Sequence, residues 1–468
     1  MQNKNHFALT DKAYISGLVG ALIVILAGYI YSKESLFQNS SAFFVKTDMT
    51  AFHVLLFCAF SMFIIELITR KKTEKTIFVL SAKIKNRKYL SFIKECVLQY
   101  LLELIILFTA VFFYRSASEY GFAAKKGYYK PWFNVMDVIV NAYLYFGFFY
   151  VAFTRAFQSG QKADKKEPSF LLLKTIYLFF QNIMVRLSIK SRPLETLKKY
   201  LRTIYEDSEK YEEKDKYVVL GVFVKLFFIP VMTVFFFDQF KHLVNNWGFL
   251  TERFGAFFAG RRDTLMSIRD FHNVSFSFIF SIDVGVAWCG YVFSSRWIKN
   301  SYTSVEPTFF GWAVALLCYP PFRVFLGFYF PVPAEKAFFS ISSAWVVTLL
   351  ALLSVISYLI YMAATLVFGL RFSNLTNRGI IRTGPYAYIR HPAYAAKNLS
   401  WWLVMLPSVL YAAYTKENLT LILQVFGLII MSSLYYFRAI TEEKHLLKDE
   451  AYVQYCKKVK YRFIPRIL

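Results

Sequence analysis

Charged residues are scarce in this chain of 468 residues: they make up 18% of it, against about 25% in a typical soluble protein. Hydrophobic residues make up 57% and aromatic residues 20%, and they fall in long blocks rather than in short periodic stripes. This composition argues against a water-soluble enzyme. Because lipid can solvate apolar and aromatic surface, it favours a protein embedded in a membrane.

Cysteine is also rare, and acidic residues are outnumbered by basic ones. The five cysteines are far apart, with no pair at metal-ligand spacing and no disulfide framework, so we interpret them as small core residues and predict no metal site. The net charge of +25 has no polar, basic domain to carry it, which argues against a nucleic-acid partner. It agrees with the excess of Lys and Arg in cytoplasmic loops of membrane proteins.

A membrane-spanning helix needs about 20 mostly apolar residues, and ten segments of the chain come close to this. They begin near Ala13, Ala51, Val97, Trp132, Tyr217, Val274, Thr308, Ser342, Asn398 and Leu419. We therefore predict an all-α, polytopic transmembrane helix bundle of about ten spans, with the first span retained rather than cleaved. A possible eleventh segment, Phe170–Ile189, carries polar residues and is interpreted as an amphipathic helix at the membrane interface.

The loops predict the orientation of the chain. Residues 70–95 hold nine Lys or Arg against two Glu, and residues 371–397 hold five basic residues and no acidic one. With ten spans, both loops, the stretch 155–216 and both termini face the cytoplasm. The segment 241–272 should be external but contains four arginines, so it is either external or hides a re-entrant or interfacial segment.

The charged stretch 161–216 is the natural divider of the chain. We predict an amino-terminal transmembrane region at 1–216, a middle transmembrane region at 217–340 with a possible substrate site, and a catalytic module at 341–468. Two motifs lie in this last region.

The first motif is a polar aromatic loop before the ninth predicted span. Gly384 and Pro385 predict a turn, and Pro392 suits the first turn of a helix, whose unpaired N–H groups favour an anionic ligand. Arg390 and His391 flank that helix start. The second motif, Arg438-Ala-Ile-Thr-Glu442-Glu443, follows the last span. A cation and a carboxylate four residues apart share a helix face and suit an amino acid zwitterion.

Together these motifs resemble the isoprenylcysteine carboxyl methyltransferases and related phospholipid methyltransferases. The resemblance covers residues 340–468 and rests on Gly-x-Tyr-x-x-x-Arg-His-Pro-x-Tyr, present as Gly384, Tyr386, Arg390, His391, Pro392 and Tyr394, on Arg371-Phe372-Ser373 and on the carboxyl-terminal tail. The chain departs from that family at Ala395-Ala396 and at Lys448-Asp449-Glu450.

The resemblance implies a transfer of the methyl group of S-adenosylmethionine to a lipid-borne or prenylated carboxylate, phosphate or amine, at loops that face the cytoplasm. It implies a cofactor site formed by Tyr386, His391, Pro392, Tyr394, Glu442 and Glu443, with Arg438, Glu442 and Arg390 as the catalytic set. The implied partners are a lipid or lipid-anchored acceptor and the membrane, with no nucleic acid.

Two other functions stay open. A membrane reductase of the sterol reductase type would bind NADPH in a comparable pocket, although its signature is closer to Arg-x-x-Asn-Tyr. A non-catalytic transporter or scaffold would use the large amino-terminal region. Acidic residues inside or beside the spans either form a substrate headgroup site or pair between helices. They are Glu66, Glu103, Asp137, Asp238 and Asp283.

Overall fold

The structure is a computed structural model that describes residues 10–33, 43–71, 78–119, 129–159, 168–186, 213–260, 263–320, 322 and 343–466. Its helices are α1 (Tyr14–Lys33), α2 (Phe43–Lys71), α3 (Ala82–Lys85), α4 (Tyr89–Glu119), α5 (Lys130–Ala156), α6 (Pro168–Arg186), α7 (Glu213–Phe258), α8 (Thr264–Val292), α9 (Phe309–Leu316), α10 (Ala344–Leu366), α11 (Pro392–Tyr414), α12 (Asn418–Leu446) and α13 (Glu450–Lys458). Two short antiparallel ribbons join β1 (Phe78–Leu80) to β2 (Phe157–Ser159) and β3 (Ser304–Val305) to β4 (Thr376–Asn377).

Within these residues, eight helices are long and apolar enough to cross a membrane: α1, α2, α4, α5, α7, α8, α10 and α12. Eight of the ten predicted spans fall on them, which confirms the all-α polytopic bundle. The span predicted near Thr308 coincides with α9, which has only eight residues, and much of its remainder lies outside the described residues. The span predicted near Asn398 lies in α11, which has 23 residues but is less apolar and is not among the eight.

The arginine-containing segment 241–272 is divided between two helices, and the first of them, α7, runs without a break to Phe258. The next helix, α8, begins after Asp263, whose side chain accepts hydrogen bonds from the N–H groups of Leu265 and Met266. The part of α7 that is apolar enough to cross a membrane ends at Trp247, and residues 248–258 continue the same helix beyond it. Arg261 and Arg262 lie outside the described residues.

Several segments predicted to share one side of the membrane meet at one end of the bundle. Arg70 donates to the carbonyl of Trp297, and the Trp297 indole donates to the carbonyl of Phe157 at 3.2 Å. Near the amino terminus, Asp11 forms a 2.8 Å ion pair with Arg382. We call this end of the molecule, which contains Arg70, Trp297 and Arg382, the basic end.

The central helix of the bundle is α8, which packs against α1, α2, α7 and α10. Its Trp288 is buried and donates to the hydroxyl of Thr233 at 2.8 Å. The surrounding core runs from Ala21 to Leu370 and includes Cys289, as expected for a small core residue. The core crosses the proposed boundaries at 216 and 340, so it fixes the carboxyl-terminal module against the other helices.

Candidate functional site

Two buried arginines, Arg371 and Arg378, hold the loop before α11 against the carboxyl-terminal end of α8. We call these two arginines and their partners the collar. Arg378 donates to the carbonyl of Asn300 at 2.6 Å and to the carbonyls of Gly290 and Phe293. An arginine at this position satisfies carbonyl groups at the end of α8 and in the segment that follows it, where the helix supplies no N–H donor. Burial lowers the pKa of Arg378 to about 10, so the guanidinium is still charged at neutral pH.

The collar also contains a buried ion pair between spans. Arg371 lies 3.6 Å from the carboxylate of Glu66 and donates to the carbonyl of Lys299 at 3.1 Å. Glu66 accepts a second hydrogen bond from Ser16 at 2.9 Å. For Glu66, the structure therefore supports pairing between helices rather than a headgroup site. Arg371, part of the motif, has a structural role here.

The loop itself is a short 3-10 helix, Gly384–Ala387, that begins with Gly384 at φ +60°. This is the left-handed region that glycine tolerates, and a Cβ there would lie 2.7 Å from Val367 Cγ1. The predicted turn is confirmed. The carbonyl of Tyr386 accepts a hydrogen bond from the Tyr455 hydroxyl at 2.8 Å, which ties the loop to α13.

The carboxyl-terminal tail runs beside the Arg-His-Pro segment and pairs with it through the backbone. The N–H of Arg390 donates to the carbonyl of Tyr461, and that of His391 donates to Arg462, both at 2.9 Å. Pro392 then begins α11, as predicted. The tail and the loop thus form one unit at the basic end.

Glu443 joins this unit to the last span. Its carboxylate lies 3.2 Å from Arg390 Nε, 3.1 Å from His391 Nε2 and 2.9 Å from Arg462 Nε. Glu443 is 4% exposed, so these groups enclose it. We call Glu443 with these three residues the brace.

The neighbouring residue, Glu442, lies outside the brace and contacts Tyr394. It accepts a 2.6 Å hydrogen bond from the hydroxyl of Tyr394. The ring of Tyr394 stacks on His391 with centroids 5.4 Å apart and planes 9° apart. Because α12 continues to Leu446, Glu442 also lies one turn beyond Arg438 on the same helix, as predicted.

Arg438 is the most unusual charge in this region. It is 5% exposed, and its guanidinium lies over the rings of Tyr394, Tyr435 and Tyr319 at 5.0, 5.7 and 5.8 Å. The one hydrogen bond of its guanidinium to another described residue goes to the side-chain oxygen of Asn374. No carboxylate of the described residues lies within 4.0 Å of it.

These side chains line a cavity of about 100 Å³, which we call the motif cavity. The predicted residues that line it are Tyr386, Arg390, His391, Tyr394, Arg438 and Glu442. Pro392 and Glu443 are not part of this lining: Pro392 sits in the backbone of α11, and Glu443 lies in the brace. The two motifs therefore meet at one cavity and do not lie at opposite ends of the bundle.

Some residues of the site were not predicted. Asn374, Tyr319, Tyr361 and Lys397 also line the motif cavity, and Arg462 completes the brace. Tyr319 comes from the segment after α9, far from both motifs in the sequence. The only signal for Asn374 was its position directly after Arg371-Phe372-Ser373.

The other acidic residues of the spans mostly have partners. Asp137 pairs with Arg115 at 2.6 Å, Glu103 accepts from Gln99 at 2.8 Å and from Tyr143, and Asp238 lies 3.7 Å from His242. Asp283 accepts from the hydroxyl of Thr365. Asp238 and Asp283 differ from the rest because they line a second cavity of about 570 Å³.

Comparison with known proteins gives one finding. A family model described as a protein of unknown function (DUF1295) matches residues 332–459, the part of the chain that carries both motifs. Its description assigns no activity. No curated protein and no solved structure matches the chain.

Proposed function

We propose that this chain is an integral membrane methyltransferase that uses S-adenosylmethionine and transfers the methyl group to a lipid-borne or prenylated acceptor. The observation that carries the proposal is Arg438, a buried cation that lines a cavity without a carboxylate partner among the described residues. A buried charge without a counter-charge is costly. A ligand with a carboxylate would supply that counter-charge.

The residues around Arg438 suit the other groups of S-adenosylmethionine. Glu442 is a carboxylate on the same helix face and would bind the ammonium group. The ring faces of Tyr394 and Tyr435 already stabilise one cation and would suit a sulfonium equally well. The phenol of Tyr386 also lines the cavity, and burial raises its pKa well above the ordinary value, so it stays protonated and can donate.

The size of the motif cavity limits how the cofactor would bind. Its volume of about 100 Å³ is below the roughly 300–1,000 Å³ of typical small-molecule sites. Binding therefore requires side chains to move. Arg438 is the first candidate, because one hydrogen bond to Asn374 is its only one to a described residue.

The bound cofactor would supply an electrophilic methyl group. A lone pair of the acceptor forms the new bond to the methyl carbon, while the carbon–sulfur bond breaks and its electron pair remains on sulfur. The protein contributes alignment and exclusion of water. A carboxylate or phosphate acceptor needs no base, whereas a hydroxyl or amine acceptor must also lose a proton. We place the basic end in the cytoplasm, since cytoplasmic loops carry the excess of Lys and Arg.

The first test is binding of S-adenosylmethionine to the purified full-length chain in detergent, by calorimetry and by thermal shift. We expect the wild type to bind and Arg438→Gln to lose at least about tenfold in affinity, because a charge-assisted hydrogen bond contributes about 1.5–3 kcal/mol. Arg115→Gln is the matched control, since Arg115 is half-exposed and paired with Asp137. A wild type that does not bind, or equal affinities in all three proteins, contradicts the proposal.

NADPH is the necessary comparison ligand. The family match at residues 332–459 assigns no activity, so a reductase stays open as the alternative, and Arg438 would also attract a phosphate group of NADPH. Stabilisation by NADPH without stabilisation by S-adenosylmethionine would identify a reductase. Binding of neither ligand would favour a transporter or scaffold.

A further inference from the structure

The second cavity, of about 570 Å³, lies mainly among residues that the family match does not cover. Its walls come largely from α7 and α8 in the middle region, including Phe235, Phe276 and Phe280. It shares four residues with the motif cavity: Tyr319, Tyr361, Phe372 and Lys397. The two cavities are therefore neighbours with one common wall.

We propose that this second cavity, which we call the acceptor cavity, binds the methyl acceptor, and that the acceptor is an amphiphile with a hydroxyl or amine head group and a long apolar tail. This inference rests on the proposed function. It adds the place of the acceptor, the class of its head group and a role for the middle helices.

The apolar part of the proposal comes from the lining. Aromatic side chains from three helices, Phe235 on α7, Phe276 and Phe280 on α8 and Trp401 on α11, face the cavity. Apolar and aromatic surface of this kind suits an acyl or isoprenoid chain, which gains about 0.8 kcal/mol for each buried CH₂. The cavity continues to Asp48 at the start of the second span, at the end opposite the basic end. A long tail can therefore extend through the bundle.

The polar part comes from Asp283, which is 4% exposed and lines the acceptor cavity. The hydroxyl that donates to it belongs to Thr365, which lines the motif cavity. Lys397 lines both cavities, lies 5.0 Å from the ring of Tyr361 and acts electrostatically on Asp283. The carboxylate of Asp283 therefore lies at the boundary between the two cavities.

A carboxylate accepts hydrogen bonds and protons, which sets the class of the head group. A hydroxyl or an ammonium group would donate to Asp283, whereas a carboxylate or phosphate head would be repelled by it. An ammonium head group would first pass a proton to Asp283, which frees the nitrogen lone pair, whereas a hydroxyl would lose its proton to Asp283 as the bond forms. In both cases the lone pair of the head group would bond to the methyl carbon, and the sulfur would keep the electron pair of the broken carbon–sulfur bond. The atoms and charges balance without another reactant.

The test uses the full-length chain, S-adenosylmethionine labelled with tritium on its methyl group, and a total lipid extract of the membranes in which the chain is expressed. Ala287→Phe places a ring in the acceptor cavity, because Ala287 is buried and lines it. Ala413→Phe is the matched control, because Ala413 is exposed and lines neither cavity. We expect Ala287→Phe to bind S-adenosylmethionine as the wild type does and to lose at least 90% of methyl transfer to lipid.

A second readout separates this proposal from the proposed function. Native mass spectrometry of the purified proteins reports bound lipid whether or not S-adenosylmethionine binds. Lipid retained by the wild type and by Ala413→Phe but lost from Ala287→Phe supports the acceptor cavity, even if the wild type fails to bind the cofactor. Equal lipid retention together with equal methyl transfer in Ala287→Phe overturns it.

Asp283→Asn tests the head group without adding volume, which also covers the case in which Ala287→Phe does not fold. We expect this variant to retain lipid and cofactor and to lose about 100-fold in kcat, the range of a general base, with little change in KM. The methylated product in the wild type should be an ether or a methylamine. A methyl ester product, or an unchanged kcat in Asp283→Asn, overturns the assignment of the head group.

Discussion

Three buried arginines line the motif cavity, and their surroundings compensate their charges to different degrees: Arg371, Arg378 and Arg438. Arg378 and Arg371 in the collar bind carbonyl groups and Glu66, and their charges are compensated. Arg438 in the motif cavity has three aromatic rings and one amide oxygen as its described partners. Completeness of pairing, rather than burial, therefore separates a structural arginine from one that is available to a ligand.

The largest expected effect is in the collar. Arg378→Met leaves the carbonyls of Gly290 and Asn300 without the donor that Arg378 supplies and removes one of the two donors of the Phe293 carbonyl, and breaking a buried charged network costs about 3–5 kcal/mol. We expect a large drop in apparent melting temperature in detergent. Arg115→Met, which removes a half-exposed partner of Asp137, should cost about 0–1 kcal/mol. Equal melting temperatures in the two variants would show that Arg378 does not stabilise the fold more than a half-exposed arginine does.

The next largest change in melting temperature is expected for Glu443→Gln, and it should exceed that for Glu442→Gln. Glu443→Gln removes the charge that holds Arg390, His391 and Arg462, and hydrogen bonds to charged groups contribute about 1.5–3 kcal/mol. Glu442→Gln keeps a hydrogen-bond partner for Tyr394, so its melting temperature should stay close to that of the wild type. Affinity for S-adenosylmethionine should show the reverse order. The same order in both measurements would mean that the brace and the motif cavity are one functional unit.

A smaller effect is expected at the loop. Gly384→Ala forces a Cβ into the left-handed region and against Val367, at a cost of about 1–2 kcal/mol. Gly255→Ala, near the end of α7 with nothing within 4 Å of the added Cβ, should instead stabilise its helix by about 0.5–1 kcal/mol. The pair is compared by thermal melting. A loss in both variants would show that the loop has no special backbone requirement.

The smallest effect on stability, and the sharpest contrast with the collar, is expected for Arg438→Gln. Removal of a buried charge that lacks a counter-charge should change the free energy of unfolding by less than about 1 kcal/mol, or increase it. Its melting temperature without ligand is the measurement. A loss as large as that of Arg378→Met would place Arg438 among the structural residues.

The local motifs of the sequence predicted features of the site that its hydrophobicity pattern does not indicate. The turn at Gly384 and the start of α11 at Pro392 follow from local rules for turns and helix ends, and both are confirmed. Arg438 and Glu442 were expected to share a helix face if the last helix continued, and α12 does continue to Leu446. The ends of spans and the second cavity were harder to predict. Neither Tyr319 nor Lys397 belongs to a motif, because a cavity wall between helices leaves no local pattern.

Hydrophobic length and turn chemistry are local properties, so the amino-acid pattern is enough to indicate a helical membrane protein with two polar motifs beside its last spans. The separate roles of Glu442 and Glu443 depend instead on how α12 packs in three dimensions. Glu442 and Glu443 are adjacent, and adjacent residues on a helix point in different directions. The orientation of α12 against α11 and the carboxyl-terminal tail therefore places Glu443 next to Arg462, in the brace. The same orientation places Glu442 next to Tyr394 at the motif cavity, where Arg438 has no carboxylate partner among the described residues.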